Sequence, residues 1–565
     1  MNLGDERSVE QDSSDRGHGL DAVPGAPHGR ATRRRGVRLL VSVGLGVLGA
    51  FAFPPWSWFW ALPLALALWW VWLAREVQKG RYEAPIESSS GDRSSLGARA
   101  RWTFRAGFWP GLGFGLGLFG AGVHWVFHSL LIFGEAPLVV ASLATILLVV
   151  GLALYVALAT ATSLAVMQVL VGPRVPPGLS LLVLGSAWLA AEMARMHWFS
   201  GFPWLLTGHV VLDSPLEPWL SLAGEMGAGW GVVVLVMAVA FLALGRWRLR
   251  LTGAALAVVV VASALLFDGT GDLRPDGDAV SIGIVQGNIP QDEKWSEDGV
   301  ERALETYVAM SEPLVGVDVI VWPETAIPDF YFQVFGPLEA VALTWLESGS
   351  ELATGVFDYD PVEGRMYNSI RHVVSGGVYD KRHLVPFGEF MPMRSLLGWL
   401  DGVLGIPMSD LSPGRGDGLL EIAGTPMGLS ICYESAFSQA MSAPLPAAAM
   451  LLNVSNDAWF GDSAAPRQHL AIARIRSIEL GRPMIRATNT GISALIDHRG
   501  RVLSQTGLFE TATLSGTLQP IAGSTLAFAV GASVARWLAA TTWPILMLVM
   551  LVTLGLRARR EARPR

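Results

Sequence analysis

Cys432 is the only cysteine in 565 residues, and it ends the apolar run of Gly428-Leu-Ser-Ile-Cys-Tyr-Glu434. A lone thiol has no partner for an intramolecular disulfide, so it is either a buried, inert residue or a nucleophile. Free cysteine is among the most buried residue types, which favours the first reading when Cys432 is taken alone. Its company favours the second: Glu324 in Val-Trp-Pro-Glu, Lys381 in Tyr-Asp-Lys-Arg-His-Leu-Val-Pro-Phe-Gly-Glu389, and Glu434 two residues on. A carboxylate can take the thiol proton, while a lysine favours the thiolate and then the oxyanion of a tetrahedral intermediate. Such a trio performs acyl transfer through a thioester. Each member also has a plainer reading. Glu324 would suit a helix N-terminus, Lys381 a solvated surface, and Glu389 and Glu434 a rim or an ion pair with Arg474 or Arg486. A Cys–His pair using His383 or His469 is the other enzymatic possibility, and spacing alone does not separate the two.

The elements that must position these groups lie between residues 268 and 525, a stretch long enough to bury its own core. Short β-branched and apolar runs recur at Ala279–Val285, Val317–Trp322, Leu352–Phe357, Gly428–Cys432, Met450–Val454, Met484–Ala487 and Ile492–Ile496. Helix-like stretches intervene at Gly299–Ser311, Pro337–Glu347 and Gln468–Leu480. This alternation predicts an α/β domain. Asp497-His-Arg-Gly500 reads as a hairpin turn, so the sheet is expected to be mixed. Glu324, Cys432, Asn453, Asn456 and Asp457 all fall at predicted strand C-termini, where α/β folds place their ligand sites.

The rest of the chain belongs to a membrane. The sequence is 51% hydrophobic and 16% charged, with a mean hydropathy of +0.42, which excludes an ordinary soluble protein. Apolar stretches of spanning length read at about 37–53, 56–74, 104–131, 137–171, 178–197, 223–245, 249–267 and 526–556. Arginine and lysine fill alternate connections: the N-terminal arm, the 75–103 loop, Arg174, the Arg246, Arg248 and Arg250 cluster, and a tail with Arg557, Arg559 and Arg560. The connections at 54–55, 132–136 and 198–222 have neither residue. The positive-inside rule then places both termini in the cytoplasm, with the 198–222 loop and the 268–525 domain outside. The expected organisation is a disordered cytoplasmic arm (1–35), a transmembrane domain of about seven helices (36–267), an extracytoplasmic catalytic domain (268–525), a C-terminal transmembrane helix (526–556) and a basic cytoplasmic tail (557–565). The first apolar stretch lacks a small-residue cleavage site, so the arm does not read as a signal peptide. Net charge of −7 gives no sign of nucleic-acid binding.

The ordered set Val321-Trp-Pro-Glu324, Lys381 and Cys432-Tyr-Glu434 resembles the nitrilase superfamily, whose Glu, Lys and Cys act as base, oxyanion-stabilising cation and nucleophile. Longer motifs narrow the resemblance to the apolipoprotein N-acyltransferases of bacteria. They are Gln286-Gly-Asn-Ile-Pro290 followed by Trp295, His383-Leu-Val-Pro-Phe-Gly-Glu389-Phe, Ser455-Asn-Asp-Ala-Trp-Phe-Gly461, Arg486-Ala-Thr-Asn-Thr-Gly-Ile492 and, in the outer loop, Ser200-Gly-Phe-Pro-Trp204. The resemblance runs from about residue 36 to 556. It implies an αββα sandwich mounted on eight transmembrane helices in the bacterial cytoplasmic membrane, facing the periplasm. The implied reaction moves an acyl chain from a phospholipid onto Cys432 and then onto the α-amino group of a diacylglyceryl-cysteine at a lipoprotein N-terminus. Glu324 would be the general base, and Lys381 would hold the oxyanion with a backbone N–H near Tyr433. Glu389, Tyr433, Glu434, Trp295 and Trp204 match positions that support the site or bind lipid, and Asn368 in Tyr367-Asn-Ser also matches. The arm and the basic 75–103 loop look longer than this family needs, and both are assigned to the cytoplasmic side.

Both substrates would be lipid-anchored, so a domain tethered at the membrane surface suits them. Phe199, Phe202, Trp204 and Trp219, in a loop without basic residues, suit lipid recognition or an interfacial aromatic belt. No metal or other cofactor is implied, because scattered histidines and one cysteine form no recognised ligand spacing. A membrane-anchored amidase that hydrolyses a small amide would use the same trio with water in place of the amine. A transporter or scaffold with an inactive outer domain is the third reading, and the few charges within the spans, Glu192 and Arg195 among them, weigh against it.

Overall fold

The computed structural model describes residues 28–78, 95–170, 176–398 apart from Arg246, 410–531, and most positions between 533 and 545. The arm as far as residue 27, most of the polar 75–103 loop, and the 557–565 tail lie outside the described residues.

The first half of the chain is a helical bundle: α1 (His28–Ala50), α2 (Ala61–Gln78), α3 (Ser95–Gly122), the single turn α4 (Trp125–His128), α5 (Leu138–Leu170), α6 (Pro177–His197), α7 (Pro218–Leu244) and α8 (Trp247–Leu266). Among the described residues, four helices are long and apolar enough to cross a membrane, and the bent pair Thr103–Gly122 and Trp125–Ile132 makes a fifth. The first expected span appears only as a shorter apolar helix, Gly36–Ala50. Apolar side chains gain nothing by leaving lipid for one another, so close backbone approach must hold such a bundle together. α3 and α5 achieve this with small residues: a Cβ at Gly107, Gly111 or Gly115 would lie 3.0, 2.7 or 2.6 Å from the Cα atoms of Ala161, Ala157 and Ala153. α6 and α7 form the buried middle of the bundle, whereas α5 and α8 leave most of their apolar surface uncovered.

The second half is a four-layer α/β sandwich. One six-stranded sheet has the order β13 (Ala512–Leu518), β2 (Val280–Gln286), β3 (Val319–Val321), β4 (Glu351–Asp360), β5 (Arg365–His372), β6 (Val378–Asp380). The other runs β12 (Val502–Gln505), β11 (Ala494–Ile496), β10 (Met484–Thr488), β9 (Met450–Ser455), β8 (Thr425–Ile431), β7 (Leu419–Ile422). Each sheet is mixed. β2–β3–β4 and β8–β9–β10 are parallel cores flanked by antiparallel edges. The inner faces interdigitate, with Ile282, Ile284, Val319 and Val321 against Met427, Leu429, Leu452 and Val454. On one outside lie α9 (Gln291–Lys294), α10 (Gly299–Ser311) and α11 (Tyr331–Glu347); on the other lie α13 (Ser438–Ser442) and α14 (Ala465–Leu480), and the single turn α12 (Arg394–Leu397) follows β6 in the chain. The central strands are buried on both faces and read as continuous apolar runs, which is why they were visible in the sequence. The 497–500 hairpin is present, with Gly500 N donating to Asp497 O at 2.9 Å.

The two halves share one structural element. α14 packs Leu470, Ala473 and Leu480 on the sheet and presents Ile472, Ile475 and Ile478 to the bundle. Both faces are therefore core, and its polar residues must find partners inside. Arg476, fully buried, donates to Glu225 of α7 and to Glu479, while His209 Nε2 lies 2.9 Å from Glu225 and Ser438 Oγ donates to Glu479 at 2.9 Å. Where the chain leaves and re-enters the bundle, β1 (Arg274–Pro275) pairs with β14 (Ile521–Ala522) as a neck. The connections at 54–55 and 198–222 meet the sandwich end of the bundle. Gln468 donates to Pro54 O, Trp125 and Trp204 reach the same glutamine, and Tyr433 donates to Gly201 O.

Removing one partner of a fully buried ion network leaves the others uncompensated. Arg476→Met is expected to cost about 3–5 kcal/mol, read as a lower midpoint of thermal unfolding in detergent. An unchanged midpoint would contradict the role given to this network.

Candidate active site

The catalytic candidates meet where the C-terminal ends of the two sheets face each other. β3 ends at Val321, and Trp322-Pro323 carries the chain to Glu324, which is 6% exposed. Backbone N–H groups and amides hold its carboxylate on both oxygens: Asn456 N donates to Oε2 at 2.7 Å and Asn368 Nδ2 to Oε1 at 2.7 Å. That rules out the plainer reading of Glu324 as a helix N-terminal carboxylate.

Lys381 follows β6 and is 1% exposed, so it is no surface lysine. Its Nζ donates to Glu389 Oε1 at 2.7 Å and to Glu324 Oε1 at 3.4 Å. Burial would lower its pKa, but the negative charge of Glu389 first, and then of Glu324, outweighs burial and holds the ammonium well above the ordinary lysine range. Glu389 is fixed in turn by Asn368 Nδ2 at 3.2 Å and Val385 N at 2.8 Å. Asn368 thus bridges both carboxylates from β5.

Cys432 begins the turn after β8 with φ of +52°, a left-handed conformation that is uncommon for any residue other than glycine. Strain of this kind persists only where neighbours enforce it. Here Glu434 does so. Its Oε2 accepts from Ile431 N at 2.7 Å and from Tyr379 OH at 2.7 Å, while Oε1 accepts from Arg382 N at 2.8 Å and His383 N at 2.9 Å. One carboxylate therefore ties the turn carrying Cys432 to the segment that follows Lys381. Neither Glu434 nor Glu389 pairs with the arginines considered above: Arg474 binds Asp213, and Arg486 binds Asp457 and Asn453. From below, His469 Nε2 lies 3.1 Å from the Cys432 carbonyl oxygen and 2.9 Å from Ser435 Oγ, and its Nδ1 lies 3.0 Å from Asp457 Oδ1. Burial first, then Arg486, lowers the His469 pKa. His383 Nε2 is engaged by Ser200 O at 2.8 Å. Both histidines are occupied with backbone, so the geometry favours carboxylate over imidazole as the base.

The thiol keeps some exposure to the cleft, yet protein surrounds its sulfur. Burial, reinforced by the negative charge of Glu324, raises its pKa, and the opposing pull of Lys381 is smaller. The resting enzyme therefore carries a thiol, and ionisation awaits a base.

The aromatic candidates divide. Trp295 is 43% exposed and lies against Phe357, with ring centroids 6.0 Å apart. Phe357 is the cross-strand partner of Asn368, so Trp295 stands at the mouth of the site. Trp204 is 1% exposed: its Nε1 donates to Gln468 Oε1 at 2.8 Å and its ring stacks on Tyr433 with centroids 6.1 Å apart. It holds the outer loop to the sandwich, unlike Phe199 in the same loop, which is 89% exposed. Glu192 and Arg195 do not bond each other. Glu192 accepts from Thr207 N at 2.8 Å, and Arg195 donates to Phe202 O at 2.8 Å and to Trp204 O, which folds that loop. Sequence reasoning missed Gln468, offered His469 only as a possible base, and reached a supporting role for Glu434 through the resemblance, without its four donors. Their only signal is polar residues on every side of an otherwise apolar helix or turn.

Residues 281–524 match the carbon-nitrogen hydrolase family model, and residues 94–239 match that of the apolipoprotein N-acyltransferase N-terminal domain. Apolipoprotein N-acyltransferase of Methylococcus capsulatus is 40% identical over 73% of this chain and 81% of its own. The chain belongs to the apolipoprotein N-acyltransferase family. Family members from Nitrosomonas europaea (36% identical; 74% and 83% covered) and Pseudomonas paraeruginosa (34%; 81% and 89%) match over a similar extent.

Alkylation of Cys432 by iodoacetamide is expected to accelerate only above the pH at which ordinary thiols ionise. Because Glu324 raises the thiol pKa, Glu324→Gln should move that rise to lower pH even as it abolishes acyl transfer. A shift to higher pH would contradict the arrangement.

Proposed function

We propose that this protein is a membrane acyltransferase that moves an acyl chain from a phospholipid to the α-amino group of an N-terminal S-diacylglyceryl-cysteine, through a thioester on Cys432. The observation that carries this reading is the buried pair Glu324 and Lys381 beside half-buried Cys432, in a sandwich joined to an apolar bundle in a chain of this family.

In the first half-reaction Glu324 takes the Cys432 proton as sulfur attacks the ester carbonyl carbon. The carbonyl electron pair moves to oxygen, where Lys381 and the backbone N–H of Tyr433 stabilise it. Collapse breaks the ester C–O bond, and the leaving lysophospholipid alkoxide takes the proton from Glu324. In the second, the uncharged amine attacks the thioester, Glu324 accepts its proton, and the amide forms as the thiolate leaves and is reprotonated. The cycle is ping-pong and consumes neither water nor an oxidant. Glu389 and Asn368 keep Lys381 and Glu324 in place, Tyr433 and Glu434 support the nucleophile turn, and Trp295 meets the incoming lipid.

Loop charge supports a topology in which the sandwich faces the periplasm and both termini the cytoplasm of a bacterial inner membrane. Eight crossings satisfy that alternation. Both substrates are then delivered by the bilayer that holds the enzyme. The match of residues 94–239 to the N-terminal domain model favours transfer over hydrolysis of a small amide.

Purified protein supplied with phospholipid and a diacylglyceryl-cysteinyl peptide should N-acylate the peptide, with parallel double-reciprocal lines as either substrate is varied. Intersecting lines, or release of free fatty acid in place of transfer, would overturn the proposal. Lys381→Met removes the oxyanion cation and should lower the acylation rate a hundredfold or more.

A further inference from the structure

Lys294 closes α9 and is 1% exposed, yet its ammonium has no hydrogen-bond partner among the described residues. An ammonium buried without a partner is costly, and lysines in that state are rare outside functional sites. Its surroundings are those of the catalytic site. Gln291, one turn earlier in α9, accepts from Asn456 Nδ2 at 3.1 Å, and Asn456 N in turn donates to Glu324. The charged group that acts on Lys294 is Glu324.

The charges around the thiol need such a cation. Glu324, after β3, and Glu389, in the loop after β6, share Lys381, and its shorter bond goes to Glu389, 2.7 Å against 3.4 Å. Behind Cys432, Asp457 and Arg486 offset each other at 3.0 Å, beside His469. Glu434 spends its oxygens on three backbone N–H groups and Tyr379 OH. Asp292 and Glu293, on α9 itself, are exposed. Two carboxylates thus share one lysine, and Glu324 has the weaker part of it, before a thiolate or an oxyanion has formed.

We propose that Lys294 is a positioning residue that acts through Glu324, supplying the second cation that keeps this carboxylate ionised and the pocket neutral as negative charge passes from base to sulfur to oxyanion. The inference rests on the roles proposed above for Glu324 and Cys432. Burial lowers the Lys294 pKa to about 8, with Glu324 opposing, so the ammonium is still mostly charged at neutral pH.

The test follows acylation of Cys432 by phospholipid from pH 4 to 9 in the full chain and in Lys294→Met and Lys294→Arg, with thermal midpoints measured alongside. The parent rate is read first, because a parent that forms no acyl-enzyme refutes the reading of the site itself. Given that adduct, the midpoint of Lys294→Met checks that the variant is folded. The substitution should lower the rate about tenfold or more at neutral pH and move the acidic limb upward by about one pH unit or more. Lys294→Arg should restore part of the rate and return the limb toward the parent position. Lys294→Gln reads the same limb if the methionine variant does not fold. An acidic limb that stays in place in the uncharged variants overturns the proposal, whatever happens to the midpoint or the rate.

Discussion

A lysine buried to 1% exposure between two carboxylates is the constraint around which the sandwich is arranged. The two carboxylates beside it hold its ammonium charged against burial, and the lysine in turn offsets their charge in the interior. Each therefore needs rigid support from elsewhere. Asn368 on β5 bridges both acids, Asn456 after β9 holds the far oxygen of Glu324, and Val385 N holds Glu389. The supports come from both sheets, so neither sheet alone could build the site. Glu434 completes the union by accepting from the segment beyond Lys381 and from the last residue of β8. The left-handed backbone at Cys432 is a cost this brace offsets.

The membrane bundle is bound into the same construction. α14 contributes His469 beneath the nucleophile turn, Gln468 to Trp125, Trp204 and the 54 and 122 carbonyls, and Arg476 to Glu225 of α7. Three adjacent turns of one helix thus connect the reacting sulfur's backbone to three separate connections of the bundle. A catalytic domain joined in this way cannot drift relative to the bilayer that supplies its lipid. Tyr433 and His383 reinforce the link by bonding Gly201 and Ser200 of the outer loop.

Much of this was legible in the sequence, for physical reasons that differ from element to element. β8, β9 and β10 are buried on both faces, and an unbroken apolar run announces them. β5, with its Arg-Met-Tyr-Asn-Ser-Ile-Arg-His composition, has no such run, and β12 and β13 alternate weakly along exposed edges, so composition concealed them. α11 begins at Tyr331, six residues before Pro337, so the proline that reads as a helix start lies inside the helix. Glu324, Lys381 and Cys432 stood out because strand C-termini and a lone thiol limit the options. The brace made by Glu434 did not, since a carboxylate that accepts four donors looks like any other glutamate in a sequence. Trp204 misled by composition: an aromatic in a loop without basic residues reads as lipid-facing, but only its hydrogen bond to Gln468 shows it turned inward. Lys294 carried no signal, because what sets it apart is the absence of a partner.

The central claim is that one thiol, made nucleophilic by Glu324 and supported by Lys381, carries the acyl group between two lipid substrates. Intact-mass spectrometry of the purified 565-residue protein mixed with phospholipid alone tests it most directly. The account predicts one acyl mass per chain, located on Cys432, labile to hydroxylamine, and discharged when a diacylglyceryl-cysteinyl peptide is added. A protein that transfers acyl chains to that peptide while Cys432 stays unmodified, or that does so with Cys432→Ala, would contradict it.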